Sequence, residues 1–359
     1  MNRREFGSRL FQITGAGVAA GTFFSAPYVF GNESDESTAV SQSEMESIYE
    51  EIKTPYKYGI ILDKLNGQLV DCPAIFRKDG VWYMIFISMT AGTGYETFLA
   101  KSDDLIKWEY LGPIMTFPKT GWDAWQVAGY PSLIDAEWGG SAEIQKYDDR
   151  YWLTYLGGHR KGYEPDPLSM GVAYTDDPTA AKEWTRYEKN PIFSPKDETA
   201  RWFEKTTLYK STVIWNKAQT LGAPFVMYYN AKGKGAERIG MAISKDMRNW
   251  TRYGADPVID NQRGISGDPQ IVKIGDCWVM FYFGAFWKPK AFDTFAVSKD
   301  LVHWTKWTGT DLIAPSEPWD ATYAHKPWCV KVDGVVYHFY CAVGNSGRAI
   351  ALATSKPLK

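Results

Sequence analysis

The chain has 359 residues, of which 45% are apolar and 16% aromatic, with 16 Trp, 22 Tyr and a net charge of −2. That charge argues against nucleic acid or an anionic membrane surface as the main partner. No run of 18 or more apolar residues is present, so no membrane span is expected. A single large all-β domain fits the length as well as two average domains do.

At the N-terminus, Arg3-Arg4 followed by Phe6 and a Gly/Ala-rich apolar stretch to Ala26 reads as a twin-arginine export signal over 1–30. Its loss would leave a mature chain near −4, exported to the periplasm or the medium. Residues 31–56 are acidic, Ser-rich and poor in large apolar side chains, which predicts a linker. The β-prone segment Lys57 to Leu62 has no partner of its own. From 57 to 359 the chain reads as one domain.

Within that domain a Ser/Thr and an Asp precede a Trp four times: Ser102-Asp103-Asp104…Trp108, Thr175-Asp176-Asp177…Trp184, Ser244-Lys245-Asp246…Trp250 and Ser298-Lys299-Asp300…Trp304. A truncated copy begins at Ser355. Each copy closes a unit of short β-prone runs, and such repetition predicts a five-bladed β-propeller with four-stranded blades. The blades run 65–117, 130–196, 206–260, 265–315 and 323–358. The last lacks a fourth strand, which Lys57 to Leu62 is expected to supply, closing the ring and removing its open edges.

Asp79-Gly80 and Asp333-Gly334 between apolar runs predict tight hairpins at one end of the ring. Asp148-Asp149 and Gly275-Asp276 read as weaker equivalents. The Asp333-Gly334 turn would pair Cys329 with His338, so Cys329 and Cys341 point to opposite faces, and no disulfide is expected between them. Reduced, buried thiols suit all four cysteines.

Chemistry should gather at the opposite end, on loops held by a rigid scaffold. Aligning blades on their hairpins puts Pro73, Ala142, Ser211, Pro269 and Pro327 in register. Around them sit Asp71, Glu143, Lys210, Asp268, His325 and Lys326, and converging titratable groups in a cleft mark a site. Loops between second and third strands add Tyr95-Glu96, Tyr163-Glu164, Glu237-Arg238, Asp293 and Arg348. Connections between blades add Glu204 and Trp125, the latter a platform for stacking a sugar ring. No H-E-x-x-H, zinc spacing, Walker motif, dinucleotide fingerprint or G-x-S-x-G elbow is present. What remains is carboxylates with basic and aromatic companions, the equipment of glycosidic chemistry.

The Ser-x-Asp-Leu-x-x-Trp repeat, Cys72-Pro-Ala-Ile-Phe-Arg-Lys-Asp-Gly-Val-Trp-Tyr and Asp268-Pro-Gln-Ile-Val resemble the five-bladed glycosidases of glycoside hydrolase families 43, 32, 62 and 130, over residues 57–358. The resemblance implies a base at Asp71 and a modulating partner at Glu143. The blade-three acid of family 43 has no match, since Lys210 stands there; Asp71 is expected as base or nucleophile, Glu143 as tuning partner or acid, and Asp268 or Glu204 as the other candidate acid. A pair ~5 Å apart would imply retention and ~6.5–9.5 Å inversion. Glu204, Lys210, His325, Lys326, Arg238, Trp125 and Glu96 are expected to bind substrate. Their cationic members point to an anionic carbohydrate, or to phosphorolysis or lysis in place of hydrolysis; a non-catalytic sugar-binding propeller is the further alternative. No cofactor is implied. Some relatives hold an axial calcium ion near a blade-five His, a part His325 could play, but no cluster here demands a metal.

Overall fold

The computed structural model describes residues 38–90 and 92–358. The expected signal 1–30 and residues 31–37 of the expected linker lie outside them. The rest of that linker is not featureless. Helix α1 (Gln42–Ile52) starts with a reciprocal cap between Ser41 and Glu44 and buries Met45, Ile48 and Ile52. These side chains pack on Val272, Val279, Phe281 and Phe295. Three apolar residues spaced three and four apart suffice for a buried helix face, even in an acidic segment.

After α1 and β1 (Tyr56–Leu62) come β2 (Lys64–Leu65), β3 (Gln68–Lys78), β4 (Val81–Thr90), β5 (Gly94–Ser102) and β6 (Glu109–Met115), which form one sheet in chain order. Next, β7 (Gln126–Pro131), β8 (Tyr151–Gly158), β9 (Ser169–Thr175) and β10 (Thr185–Arg186) form a second. Strands β11 (Thr207–Trp215), β12 (Phe225–Gly233), β13 (Ala236–Ser244) and β14 (Trp250–Arg252) make an antiparallel run. A single parallel bridge, Glu237 to Ile265, joins it to the run β15 (Ile265–Ile274), β16 (Cys277–Ala285), β17 (Phe292–Ser298) and β18 (Thr305–Lys306). Finally β19 (Tyr323–Val332), β20 (Val335–Gly344) and β21 (Gly347–Thr354) are completed by β1, which pairs antiparallel with β21 from Tyr56–Thr354 to Leu62–Ile350. The N-terminal strand thus closes the fold as expected. The architecture is all-β and propeller-like, with strand counts that differ from sheet to sheet.

The repeated Ser-x-Asp…Trp phrase is a structural turn. Ser298 Oγ accepts from Leu301 N at 2.9 Å, Asp300 Oδ1 accepts from Val302 N at 2.9 Å and His303 N at 2.8 Å, and Trp304 Nε1 donates to the Leu301 carbonyl. Asp246 does the same for Arg248 N and Asn249 N, and Asp104 for Ile106 N and Lys107 N. Leu105, Met247 and Leu301 share a positive φ of 62–72°. One short side chain caps a tight turn that the backbone alone cannot satisfy. All four cysteines are free and buried, and Cys329 pairs with His338 across the hairpin.

The second blade departs from the expectation. Its innermost strand is β7, ending at Pro131, and Asp148-Asp149 turns a side hairpin bridged Tyr147 to Arg150. Residues 132–150 leave the sheet and cross the inner-strand ends. Leu133 N donates to Val213 O at 3.0 Å, Lys273 N to Ala136 O at 2.7 Å and Arg77 N to Ala142 O at 2.8 Å. Three inner strands are therefore plugged by one excursion at the Asp-Gly-turn end, leaving the other end for chemistry.

Because those turn carboxylates each hold two amides, Asp246→Ala should cost about 1–2 kcal/mol of stability. The backbone amides also hold the Asp246 carboxyl below its ordinary value, against the effect of burial. A depressed value means that the stabilisation is present above the unfolded carboxylate range and lost on acidification. Denaturant titrations at pH 7 and pH 3 should show the deficit shrinking at acid pH.

Candidate active site

Four inner strands carry the same irregularity at the open end. Pairing slips between Asp71 and Ala74 on β3, Leu208 and Ser211 on β11, Gly267 and Gln270 on β15, and His325 and Trp328 on β19. Cys72, Asp268 and Lys326, each followed by Pro, take positive φ of 52°, 54° and 64°. A bulge re-aims the displaced side chain and ends regular pairing, which suits a site built around an axis. Lys210 occupies the same slip on β11.

The bulges bring distant residues together. Asp71 Oδ2 accepts from Lys326 Nζ at 2.7 Å and from Arg348 Nη1 at 2.5 Å, while its Oδ1 accepts from Cys72 N at 2.8 Å. Burial pushes the Asp71 carboxyl up, but Arg348 and then Lys326 override it and hold it well below the carboxylate range. Asp268 lies 3.7 Å from Cys72 Sγ and 3.9 Å from Lys210 Nζ. Lys210 Nζ has no hydrogen-bond partner and sits 5.1 Å from the Tyr130 ring centroid and 5.4 Å from that of Trp328. His325 Nδ1 donates to the Cys341 carbonyl at 3.1 Å; burial, with Arg348 and Lys326 beside it, keeps the ring neutral.

Two further carboxylates face this cluster from the loops. Glu164 (φ 45°) follows Tyr163 on a loop fixed by Gln126, whose Nε2 donates to the carbonyls of Arg160 and Gly162. Gly94 makes room for the segment that carries Gln126: a Cβ there would lie 1.8 Å from the Trp125 carbonyl oxygen and 2.6 Å from Gln126 Nε2. Burial raises the Glu164 carboxyl, with Lys326 opposing and Asp71 assisting. Glu237, near the start of β13, accepts from Asn230 Nδ2 at 3.1 Å. Burial, helped by the Glu164 and Asp268 charges, pushes it up to about 7. Both side chains remain half-buried, open to a ligand. They stood among the loop residues in the sequence, but the Gly-Tyr-Glu echo at 94–96 and 162–164 gave no sign that only the second Glu reaches the centre.

Other expected residues lie elsewhere. Glu143 bridges Arg77, six residues along β3 from Asp71 and on the order of 20 Å away, because it belongs to the 132–150 excursion and not to an inner strand. Glu204 is fully buried between Arg201 (2.6 Å), Arg252 (2.7 Å) and the Tyr229 hydroxyl, on the side of the outermost strand β14. Those cations keep its carboxyl low despite burial, the opposite of what a general acid needs. Arg238 alternates to the face away from Glu237 and pairs with Asp260 at 2.9 Å. Glu96 accepts from Thr90 Oγ1 and Phe117 N, bracing a loop. Trp125 carries the Lys161 ammonium 4.3 Å from its ring centroid, so that face is covered.

The cationic excess expected at the mouth is matched by acids. Lys210, Lys326 and Arg348 face Asp71, Asp268, Glu164 and Glu237, so three formal positive charges meet four carboxyls, and protonating one balances the set. Among the described residues no group of three or more His, Cys, Asp or Glu side chains is arranged to hold a metal, and no helix is long and apolar enough to cross a membrane.

Replacing Asp71 with Asn would strand two buried cations, and losing one partner of a buried pair typically costs about 3–5 kcal/mol. Denaturant unfolding of Asp71→Asn should show a loss of that size, whereas Glu143→Gln should stay within about 0.5 kcal/mol of the parent.

No family model matches the sequence. A curated 6(G)-fructosyltransferase of Asparagus officinalis is 26% identical over 156 residues, 39% of this chain and 23% of that protein. A solved structure described as a BT0996 complex with RGII is 49% identical with a TM-score of 0.86, covering 89% of this chain and 97% of that one. One described as a glycoside hydrolase gives the same identity, coverage and TM-score. A thermostable family-43 glycoside hydrolase, at 15% identity and TM-score 0.59, covers 84% of this chain and 96% of its own and shares the fold. With near-half identity over almost the whole of its neighbour, and a cluster of carboxyls at the open end of a propeller, the protein belongs to the glycoside hydrolases.

Proposed function

We propose that this glycoside hydrolase cleaves its substrate with Glu237 as general acid and Glu164 as the ionised partner, at the mouth of a ring of five blades. The carrying observation is the raised Glu237 carboxyl beside a second, differently placed Glu. Burial raises both carboxyls, Glu237 to about 7, and two carboxyls facing one site supply an acid and a base or nucleophile from one residue type. Asp71 serves as an anchor: its charge is consumed by Lys326 and Arg348, which leaves it a poor proton acceptor. Asp268 adds negative potential that helps keep Glu237 protonated. An oligosaccharide of RGII, the ligand named with the 49% identical neighbour, is the substrate we assign.

We further propose export. The Arg3-Arg4 signature supports it, as do four unpaired, buried thiols that suit a chain folded before transport. In cell fractionation the parent should appear outside the cytoplasm, and an Arg3→Lys/Arg4→Lys double variant should stay inside it.

The acid assignment fixes a pH profile. Glu237 acts while protonated, so turnover should fall as pH rises through about 7. Glu237→Gln should lower kcat on the RGII oligosaccharide about 10²–10⁴-fold and erase that alkaline limb, with activity restored on a substrate whose leaving group needs no proton. Near-parental turnover by this variant would refute the assignment.

A further inference from the structure

Glu237 has a cation for a neighbour that it does not bind. In the antiparallel pair of β12 and β13 it stands directly opposite Lys232. Directly opposed residues share a face, with Cβ atoms about 4.5–5.5 Å apart, well within reach of a lysine side chain. An ammonium closing on the Glu237 carboxyl from there would favour its ionised form. The structure shows another arrangement. Lys232 Nζ turns to Asp166 Oδ2 at 3.1 Å, and Glu237 accepts from the neutral Asn230 amide, also at 3.1 Å. Burial raises the Glu237 carboxyl and outweighs the pull of Asn230 and Lys232.

Asp166 lies on the loop between β8 and β9, two residues after Glu164. Both ends of the ion pair are fixed through their backbones. Arg160 Nη1 donates to the Asp166 carbonyl at 2.9 Å, and Thr206 N donates to the Lys232 carbonyl at 2.9 Å. Asp166 Oδ1 is buried without a hydrogen bond, which leaves Lys232 as the side-chain partner of this carboxylate. The pair therefore joins the loop that carries Glu164 to the hairpin that carries Glu237. Tyr209 from β11, Glu164 from that loop and Asp268 from β15 also surround Glu237, and Lys232 is the one cation of the set. The two paired side chains are 36% and 30% exposed, and an ion pair so open to solvent adds little to stability. Its effect is on where the ammonium sits.

We propose that Asp166 is a positioning residue for the reaction: it holds the Lys232 ammonium off Glu237 and ties the Glu164 loop to the Glu237 hairpin, so that both glutamates face one substrate and the acid has no counter-ion. This rests on the reading of Glu237 as general acid.

The two members of the pair should then act in opposite senses. Asp166→Asn releases Lys232 to Glu237, so the Glu237 titration midpoint, and with it the alkaline limb of turnover on the RGII oligosaccharide, should fall by about one pH unit. Lys232→Met removes the cation, and both should rise. A purely structural tie is broken equally by either variant and would move neither. Asp166→Glu, which keeps the carboxylate, should retain the parental limb. Adding Asp166→Asn to Lys232→Met should leave the midpoint where Lys232→Met puts it. A further fall as large as in the parent would show Asp166 acting by its own charge alone and would overturn the proposal, as would shifts in the same direction or none. The carboxyl is read in the ligand-free enzyme by isotope-edited infrared titration, which separates this claim from the acid assignment. Opposite shifts of the carboxyl with a limb that ignores them would refute Glu237 as the acid while leaving the hold on Lys232 intact. A limb erased by Glu237→Gln, beside a carboxyl indifferent to both variants, would keep the acid and overturn the role of Asp166.

Discussion

The carboxylate of Asp71, shared between Lys326 and Arg348, is the interaction on which the centre of this protein depends. It spans 255 residues of sequence to Lys326 and 277 to Arg348, tying the first sheet to the last across the axis. Buried ion pairs add little net stability against apolar packing, but removing one member is costly. What the pair supplies is placement. Arg348 and Lys326 are held on Asp71 and oppose burial at Glu164 only in part, so burial still raises that carboxyl and, with it, Glu237. The chemistry of the loops follows from a charge balance struck one layer below.

That layer exists because of four bulges. A regular inner strand would send successive side chains alternately to its two faces. The slips at Cys72, Lys210, Asp268 and Lys326 break this alternation at the same height and turn one side chain of each strand inward. Left-handed backbone before proline is unfavourable, and the surrounding sheets and ion pairs hold it. The excursion 132–150 closes the other end of the inner strands, so the polar groups that need solvent or substrate all face one mouth.

Much of this was legible in the sequence. The repeat, the Asp-Gly hairpins and the orphan strand at Lys57 to Leu62 fixed the order of units and their closure, because turn chemistry and strand pairing are local and periodic. Asp71, Lys210, Asp268, His325 and Lys326 were found by register alone. Glu143 was lost for the same reason: register counting assumes that every hairpin is equivalent, and Asp148-Asp149 belongs to an inserted one. Glu164 and Glu237 were visible as loop residues but not separable from Glu96 or Arg238. Their distinction comes from burial, neighbouring charge and which face of a strand they occupy. Trp125, in its Gly-rich loop, reads from the sequence as a stacking ring, but the fold lays Lys161 over one of its faces.

The central claim is that the environment, and not residue type, makes Glu237 the acid. Its side-chain carboxyl can be followed directly by isotope-edited infrared or carbon NMR titration of the parent protein. The account predicts a midpoint near 7 that moves downward in Glu164→Gln, since the adjoining charge is one cause of the elevation. A midpoint at the ordinary glutamate value of about 4.3, unmoved by that substitution, would contradict it.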